Sequence, residues 1–414
     1  MRVLVISHMY PRQSDDWGGI FVHEQVAALR ELGIDARVIV GNHDGFAVRF
    51  SSGAWRHFRS SRNSGVLPKW QELNGVPVLY FPYSAPYAWY WGMLGAVCFL
   101  REVRQLADWI RRSFPFDLVH AHTAWLDGTA GVWLARHSGV PIVLTEHTGP
   151  FSALTAGRCM KWVTERAINR ANVVIAVSEA LKRDILRQVK VDRPDKMEVV
   201  GNGMRPELFC LTEEKPPEDG TIRALWVGGF HPVKRLTRLL DALSSALQRE
   251  PRLRLSMVGM GPLEGEVREY VRLQHLENVV SFYPTAPRQL IASYLRRHHF
   301  LVVSSETETF SIIVIEALAC GRPVLSTRCG GPEEIIRDKS VGELVENSRE
   351  GLTQGFLSIV SRLGEFDPQR LSAYSRDNYG MDVIASRVAR IYMKMCAGTV
   401  QHDGLPTRVS QISL

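Results

Sequence analysis

The sequence predicts an α/β protein with two Rossmann-like domains that face each other across a cleft. Short apolar runs alternate with amphipathic stretches along most of the chain, a pattern typical of strand–helix units and parallel sheets. The 414 residues exceed what one hydrophobic core usually supports, so we expect two domains. A polar stretch with two prolines at residues 212–220, TEEKPPEDG, separates two series of such units. Because open parallel sheets bind ligands at the carboxyl ends of their strands, both domains should line one cleft.

Each series contains strand candidates separated by helical patterns. In the first series they are Val3–Ser7, Ala36–Val40, Leu118–His120, Ile142–Thr145 and Val173–Val177. In the second they are Ala224–Val227, Arg254–Val258, Val279–Phe282, Phe300–Val303 and Val324–Ser326. We therefore expect an N-terminal domain at residues 1–200 and a C-terminal domain at residues 201–379. A final helix is expected at about residues 380–397, and the polar residues 398–414 are expected to form a flexible tail.

The composition limits which partners the protein is expected to bind and in which compartment it is expected to be found. The formal net charge of +7 suits anionic partners such as nucleotide sugars, phospholipid surfaces or nucleic acid. Nucleic acid is not expected, because the basic residues are widely spread and aromatic residues do not interleave with them. Six scattered cysteines without metal-ligand spacing indicate reduced thiols rather than a zinc site. The apolar start, MRVLVIS, is short and favours a buried strand over a secretory signal, so we expect a cytoplasmic protein.

The segment from residue 300 to residue 335 carries the main functional signal. An apolar strand, FLVVS, enters a polar loop, SETET, and a helix begins near Phe310 and Ser311. Glu308 lies just before that helix, and Glu316 lies about one and a half turns into it. Free N–H groups at a helix start bind anions. The pattern predicts two carboxylates beside an anion site; the plainer alternative is an acid at a helix N-terminus and a solvated helical glutamate.

The whole string resembles the signature of the retaining glycosyltransferases of family 4, whose fold is called GT-B. It contains two glutamates separated by seven residues, a small-residue helix, a G-x-P-V strand and a later G-G-x-x-E. The resemblance implies that Glu308 bonds hydroxyls of a donor sugar and that Glu316 bonds the ribose of a nucleotide. It also implies that the amides of Phe310, Ser311 and Ile312 hold the sugar and the diphosphate.

A second segment, Ala224–Arg235, combines a strand, a glycine turn and a lysine at a helix start. It resembles the diphosphate-binding segment of the same family, and Lys234 matches the lysine of that segment. Gly229 stands where an arginine is usual, and Arg235 stands where the second glycine is usual. His231 and Arg235 are the candidates to supply the missing cation. The alternative for Lys234 is an ordinary surface lysine.

Two further segments agree with the resemblance. Gly18 and Gly19 follow the first strand, where the family has a glycine-rich loop that closes over the donor; a plain turn is the alternative. His147 matches the histidine of a T-x-H segment that lies beside the donor sugar and the acceptor. Glu146 is adjacent, and His122 ends a neighbouring strand, so both are expected in the acceptor site. The alternative is that these histidines are satisfied core residues.

The resemblance implies transfer of a sugar from a nucleotide diphosphate donor, UDP-linked or alternatively GDP-linked, to a glycan, lipid-linked or small-molecule acceptor. The product keeps the anomeric configuration of the donor, and the departing diphosphate takes the acceptor proton. We expect His147, Lys234 and Glu308 to be catalytic. No Asp-x-Asp motif is present, so no metal or other cofactor is expected. Family precedent also has the final helix cross back to the first domain.

Other interpretations remain open at this stage. One is a catalytically inactive or epimerase-type nucleotide-sugar-binding protein of the same fold. Another is a dinucleotide oxidoreductase, because Gly259, Gly261 and Gly265 follow a strand, although their spacing departs from G-x-G-x-x-G.

An uncharged, aromatic-rich segment at Val78–Leu100 suggests peripheral association with the inner membrane surface. The alternative is a strand and a helix of the core. The segment is flanked by basic residues, namely Arg49, Arg56, Arg59, Arg62, Lys69, Arg101, Arg104, Arg111 and Arg112.

Overall fold

A computed structural model describes residues 1–12, 18–43, 68–83 and 92–400. In the described residues, the first domain is built on an eight-stranded sheet in the order β3-β4-β2-β1-β5-β6-β7-β8, whose neighbours run parallel except for β3 and β4. The strands are β1 (Arg2–Ile6), β2 (Asp35–His43), β3 (Gln71–Leu73), β4 (Val76–Tyr83), β5 (Leu118–His122), β6 (Ile142–Glu146), β7 (Val173–Ala176) and β8 (Met197–Val199).

Helices cover this first sheet, as expected for parallel strands that are buried on both faces. Ser178 begins the last of them, because its hydroxyl accepts a hydrogen bond of 2.9 Å from the Leu181 amide. The helices are α1 (Ile20–Glu31), α2 (Gly92–Ser113), α3 (Leu126–Ser138), α4 (Arg158–Arg170) and α5 (Glu179–Gln188), with single 3-10 turns at Phe151–Leu154 and Pro194–Lys196.

The second domain is built on a six-stranded parallel sheet in the order β11-β10-β9-β12-β13-β14. Its strands are β9 (Ile222–Val227), β10 (Leu253–Val258), β11 (Val280–Tyr283), β12 (Phe300–Val303), β13 (Val324–Thr327) and β14 (Gly342–Val345). Its helices are α6 (Leu236–Leu247), α7 (Glu264–Leu273), α8 (Arg288–Arg296), α9 (Ile312–Ala319), α10 (Gly331–Ile335), α11 (Arg349–Ser361) and α12 (Pro368–Tyr379), with 3-10 turns at Pro232–Lys234 and Leu363–Glu365.

The predicted fold class, two Rossmann-like domains, is confirmed. Every strand expected from the sequence is present within a few residues of its expected bounds, and the polar stretch 212–220 lies between the two sheets. Strands β3, β8 and β14 were not among the candidates, and each is an edge strand of its sheet. Strand β4 and helix α2 match the alternative given for Val78–Leu100, a strand and a helix of the core.

The last helix, α13 (Met381–Val400), packs on the first domain. Its Ile384 and Val388 share an apolar cluster with Val3 of β1, and Tyr392 Oη lies 2.5 Å from His120 Nδ1. The helix runs to Val400, so the expected tail boundary at residue 398 is corrected to at least residue 401. Residues 401–414 lie outside the described part of the chain.

The two domains touch along the edge where the carboxyl ends of both sheets meet. Thr309 Oγ1 donates to the carbonyl of His147 at 3.2 Å. The Glu334 carboxylate accepts hydrogen bonds from the amides of Glu179 and Ala180 at 2.8 and 2.7 Å, which caps α5 from the opposite domain. These contacts bring the side chains that follow β1, β5 and β6 opposite those that follow β9 and β12.

Candidate active site between the two domains

Lys234 and Glu308 form an ion pair at the edge of the second sheet. Lys234 Nζ donates to Glu308 Oε1 at 2.6 Å, and the Ser305 hydroxyl donates to the same oxygen at 2.7 Å. Lys234 ends the 3-10 turn that follows β9, and Glu308 lies in the loop that follows β12, so adjacent parallel strands bring them together. Both side chains are only partly exposed. The site thus places a cation, a kind of group that binds phosphates, next to a carboxylate, a kind of group that accepts hydroxyl hydrogen bonds.

The loop that holds Glu308 is fixed by its own backbone. The Glu308 amide donates to the Cys329 carbonyl at 2.7 Å, and the Gly331 amide donates to the Glu308 carbonyl at 2.8 Å. A Cβ on Gly331 would lie 2.3 Å from Phe310 Cα, so only glycine permits this close approach. The two glycines of the G-G-x-x-E motif therefore hold the loop against the start of α10.

A cavity of about 150 Å³ opens beside the pair, and its lining includes Lys234, Ser305, Glu308, Ser311 and Ile312. Ser311 begins α9 with a left-handed φ of 77°, and its hydroxyl does not cap the first amides of the helix.

The Phe310 ring is buried and packs against Gly201 and Tyr379, so its expected contact with a ligand is confined to its backbone.

Glu316 lies further along α9 and does not line that cavity. Its carboxylate Oε1 accepts a hydrogen bond of 2.8 Å from Arg288 at the start of α8. Burial raises the pKa of Glu316 to about 7, while the Arg288 charge opposes this shift and the Glu24 charge adds to it. The two glutamates of the motif therefore occupy different surroundings.

Three imidazoles pack together at the edge of the first sheet, and we call them the histidine stack. The His147 and His122 rings are parallel within 12°, with 2.9 Å between His147 Nε2 and His122 Nδ1, and the His120 ring lies against His122 at a tilt of 38°, with 4.3 Å between the ring centroids. Burial lowers the pKa of His147 to about 3, although the Asn202 side chain opposes this shift. Burial also lowers the pKa of His120 to about 3 and that of His122 well below its usual value. The histidine stack is therefore neutral at neutral pH.

The structure corrects the expected acceptor residues. His122 is only 1% exposed, so it contacts the His147 ring from the protein interior and does not form a wall of the cleft. Glu146 is 0% exposed, and its carboxylate accepts hydrogen bonds from the amides of Ala124, His147 and Thr148 at 2.7, 2.9 and 2.7 Å. Glu146 therefore shapes the loop after β6 and has no surface left for an acceptor.

Gly19 has a steric reason to be glycine. It adopts a φ of 71° at the start of α1, and a Cβ there would lie 2.2 Å from the Met9 carbonyl group. The turn therefore lies directly against the chain that leaves β1. Gly18 precedes it in the same turn, and residues 13–17, which include Trp17, lie outside the described part of the chain.

Arg235 is directed away from the cavity. Its Nε donates to Glu306 Oε2 at 2.9 Å, an oxygen that also accepts from Arg238 at 2.9 Å. Arg235 and His231 are both absent from the cavity lining, so the structure does not bring either candidate to the position of the missing cation.

A histidine–aspartate pair at the first sheet edge was not predicted from the sequence. His8 directly follows β1, and its amide and Nδ1 lie 2.9 and 2.8 Å from the two oxygens of Asp127, which is fully buried at the start of α3. Burial is the largest single influence and works against protonation of His8, but the charge and hydrogen bond of Asp127 and the charge of Glu146 together outweigh it, so the pKa of His8 is raised. The position of His8 after a predicted strand was the available signal.

Within residues 1–12, 18–43, 68–83 and 92–400, no group of three acidic, histidine or cysteine side chains could hold a metal ion. Across those same residues, no helix has the length and apolar character required to span a membrane.

Two family models match the chain on either side of the polar stretch. Residues 18–208 match Glycosyltransferase Family 4, and residues 221–362 match Glycosyl transferases group 1. The two matches divide the chain where the structure changes from the first sheet to the second.

Individual relatives agree with these models. The chain is 28% identical to a D-inositol 3-phosphate glycosyltransferase of Streptomyces scabiei, over 67% of this chain and 68% of that protein. It is 25% identical to an alpha-maltose-1-phosphate synthase of Mycolicibacterium smegmatis, over 96% of this chain and 100% of that protein. Anabaena Alr3699/HepE in complex with UDP-glucose superposes with a TM-score of 0.69 at 18% identity, covering 95% of this chain and 100% of that one. This protein is therefore a glycosyltransferase of the GT-B fold, and its residues 18–208 match the family 4 model.

Proposed function

We propose that the protein transfers a sugar from a nucleotide diphosphate donor to an acceptor hydroxyl with retention of the anomeric configuration. The observation that carries this proposal is the Lys234–Glu308 pair, 2.6 Å apart, beside a cavity that also reaches the start of α9. A diphosphate needs a cation and amide donors, and a sugar needs a carboxylate that accepts its hydroxyls. This one cavity offers all three kinds of group.

In the proposed reaction, Lys234 and the α9 amides neutralise the charge that grows on the departing diphosphate. Glu308 clamps the sugar, and the neutral His147 provides a polar wall on the other side of the cleft. The acceptor hydroxyl attacks on the face that the diphosphate leaves, and the diphosphate takes its proton. Stabilising this charge separation is the main task of the protein, and no protein nucleophile is needed.

We propose a UDP-linked donor, with a GDP-linked donor as the alternative. The complex of Anabaena Alr3699/HepE with UDP-glucose supports the choice by analogy of fold. The test is hydrolysis of UDP-glucose, UDP-galactose, UDP-N-acetylglucosamine and GDP-mannose, measured as release of the nucleoside diphosphate. Glu214→Gln is a matched control, because this carboxylate pairs with Arg296 away from the cleft. We expect one donor to be hydrolysed by the wild type and by the control alike.

An acceptor near the inner membrane surface remains part of the proposal. Helix α2 exposes Leu94 and Val97, and the same helix carries exposed Arg101 and Arg104. Apolar and basic side chains together suit anionic lipid headgroups. Residues 84–91 of the aromatic segment, and the basic residues at 49, 56, 59 and 62, lie outside the described residues. Flotation with anionic vesicles at low salt tests this point, and absence of binding would remove it.

The alternative is an inactive or epimerase-type protein of the same fold. Such a protein would bind UDP or GDP but release no sugar to any acceptor or to water. An epimerase would convert one nucleotide sugar to its isomer without releasing nucleoside diphosphate. Chromatography of the donor panel after incubation separates the three outcomes.

A further inference from the structure

Three charged side chains, one from the first domain and two from the second, meet where the two domains are in contact. Arg288 of α8 donates to Glu316 Oε1 of α9 at 2.8 Å, and the same guanidinium nitrogen lies 3.5 Å from Glu24 Oε2 of α1. Arg288 and Glu316 belong to the second domain, whereas Glu24 belongs to the first. We call these three residues the Glu24–Arg288–Glu316 triad.

The triad is buried and only partly satisfied. Glu24 and Glu316 are each 6% exposed, and Arg288 is largely covered, with its guanidinium 5.0 Å from the ring of Phe209. Glu24 Oε2 and Arg288 Nε make no hydrogen bond with any described residue. Two carboxylates share one guanidinium, so the triad carries an excess negative charge when both are ionised. Buried charge without full pairing is costly, which argues against a purely structural purpose.

Few other charged groups reach the triad within the described residues. Arg205 and Glu207, in the segment before the second domain, act on Glu24, and the Cys320 thiol lies near Glu316 on its own helix. Burial raises the pKa of Glu24, and Arg288 opposes this shift. For Glu316, burial dominates, Arg288 favours ionisation and Glu24 disfavours it. The ionisation of Glu316 therefore depends on a residue from each domain.

We propose that Glu24 and Arg288 are positioning residues of the nucleotide site, which hold the Glu316 carboxylate so that the ribose contact is assembled from both domains. Arg288 occupies Oε1 of Glu316, whereas Oε2 accepts no hydrogen bond from any residue in the described part of the chain and is left for a ribose hydroxyl. This inference rests on the proposed function, because it assigns the ribose of the donor to Glu316.

The test isolates the ribose contact from the rest of the nucleotide. Calorimetry with UDP and with 2′,3′-dideoxy-UDP gives two dissociation constants, and we define the ribose ratio as the second divided by the first. GDP and its dideoxy form are measured in parallel. The phosphate titration is the same in both ligands and cancels in the ratio. In the wild type, the ribose ratio should rise with pH through about 7, because the ionised carboxylate accepts hydroxyls, to a plateau of roughly tenfold to a hundredfold.

The variants have opposite expected effects on the midpoint of that rise. Glu24→Gln removes an anion, so Glu316 ionises more easily and the midpoint moves to lower pH. Arg288→Gln removes a cation, so the midpoint moves to higher pH. Arg288→Lys keeps the charge and should restore a midpoint near that of the wild type. Glu214→Gln is the control, because its carboxylate bonds to Ser293 and Arg296 near the far end of α8, and it should leave the ribose ratio unchanged.

A purely structural role predicts a different result. It would make both Gln variants weaken UDP and dideoxy-UDP equally, with no opposite movement of the midpoints, and that would overturn the inference. Midpoints that do not move at all would overturn it too. If Arg288→Gln fails to fold, the midpoints of Arg288→Lys and Glu24→Gln still test the inference. A wild-type protein that binds neither UDP nor GDP would instead overturn the proposed function, and this inference with it.

Discussion

The two edges of the cleft have the same architecture but different chemistry. Both are carboxyl ends of parallel strands, yet on the first domain the buried acids Glu146 and Asp127 are occupied by backbone amides or by His8. On the second domain, Lys234 and Glu308 face a cavity. The acids of the first edge are therefore already paired within the domain, whereas the charged groups of the second edge line a cavity. In the proposed function, the second domain binds the ionic donor, and the first contributes shape and polar contacts.

The largest effect should follow removal of the cation at the second edge. Lys234→Gln should reduce turnover by about a hundredfold to a thousandfold, because a growing negative charge loses its nearest positive partner. The matched control is Arg235→Gln, the adjacent cation that pairs with Glu306 outside the cavity. Steady-state kinetics on the donor found by the hydrolysis screen measure both. Equal losses of turnover in the two variants would mean that Lys234 has no special role compared with Arg235.

A smaller effect, on stability, should follow disruption of the first edge. Asp127→Asn removes charged hydrogen bonds to the His8 ring and amide, so the free energy of unfolding should fall by about 1.5–3 kcal/mol. The pKa of His8 is raised in the folded state, so its pairing with Asp127 stabilises the protein below the unfolded pKa of about 6.5. This contribution is lost as pH rises through the raised value.

The cost of Asp127→Asn should therefore be greater near pH 6 than near pH 9. Urea denaturation at the two pH values measures it, with wild type alongside. A cost that grows with pH would show that His8 is not stabilised as a cation by this pair.

Removal of metal should have no effect. Lys234 and the amides at the start of α9 are proposed to supply the positive charge that the diphosphate requires, so turnover in EDTA should equal turnover with added Mg²⁺. Turnover that vanishes in EDTA and returns with Mg²⁺ would show that the second edge lacks sufficient charge of its own.

The fold could be predicted from the sequence because buried parallel strands appear as short apolar runs. The family resemblance singled out Lys234, Glu308 and His147, and the position of each after a strand placed it at the carboxyl edge of a sheet. Apolar runs in the sequence are sufficient to predict the position of a site residue when that residue lies just after a strand.

The partners of those residues could not be predicted in the same way. His8 and Asp127 are 119 positions apart, and only the pairing of β1 with β5 brings them together. Glu24, Arg288 and Glu316 meet only when two domains pack. Glu146 ends strand β6, but its hydrogen bonds from three backbone amides depend on the conformation of two loops. The position of a residue in the sequence predicts at which edge of the sheet it lies, whereas its burial and its hydrogen-bond partners depend on the tertiary structure.

The most direct test of the different roles proposed for the two glutamates compares Glu308, in the loop before α9, with Glu316, in α9. Calorimetry with UDP and GDP is set beside turnover of the full donor for Glu308→Gln and Glu316→Gln. Glu316→Gln should weaken binding of the bare nucleotide roughly tenfold to a hundredfold. Glu308→Gln should leave that affinity nearly intact but lower turnover, because the Glu308 carboxylate holds the sugar as charge develops. If Glu308→Gln weakens the bare nucleotide as much as Glu316→Gln does, the division of roles between these two carboxylates is wrong.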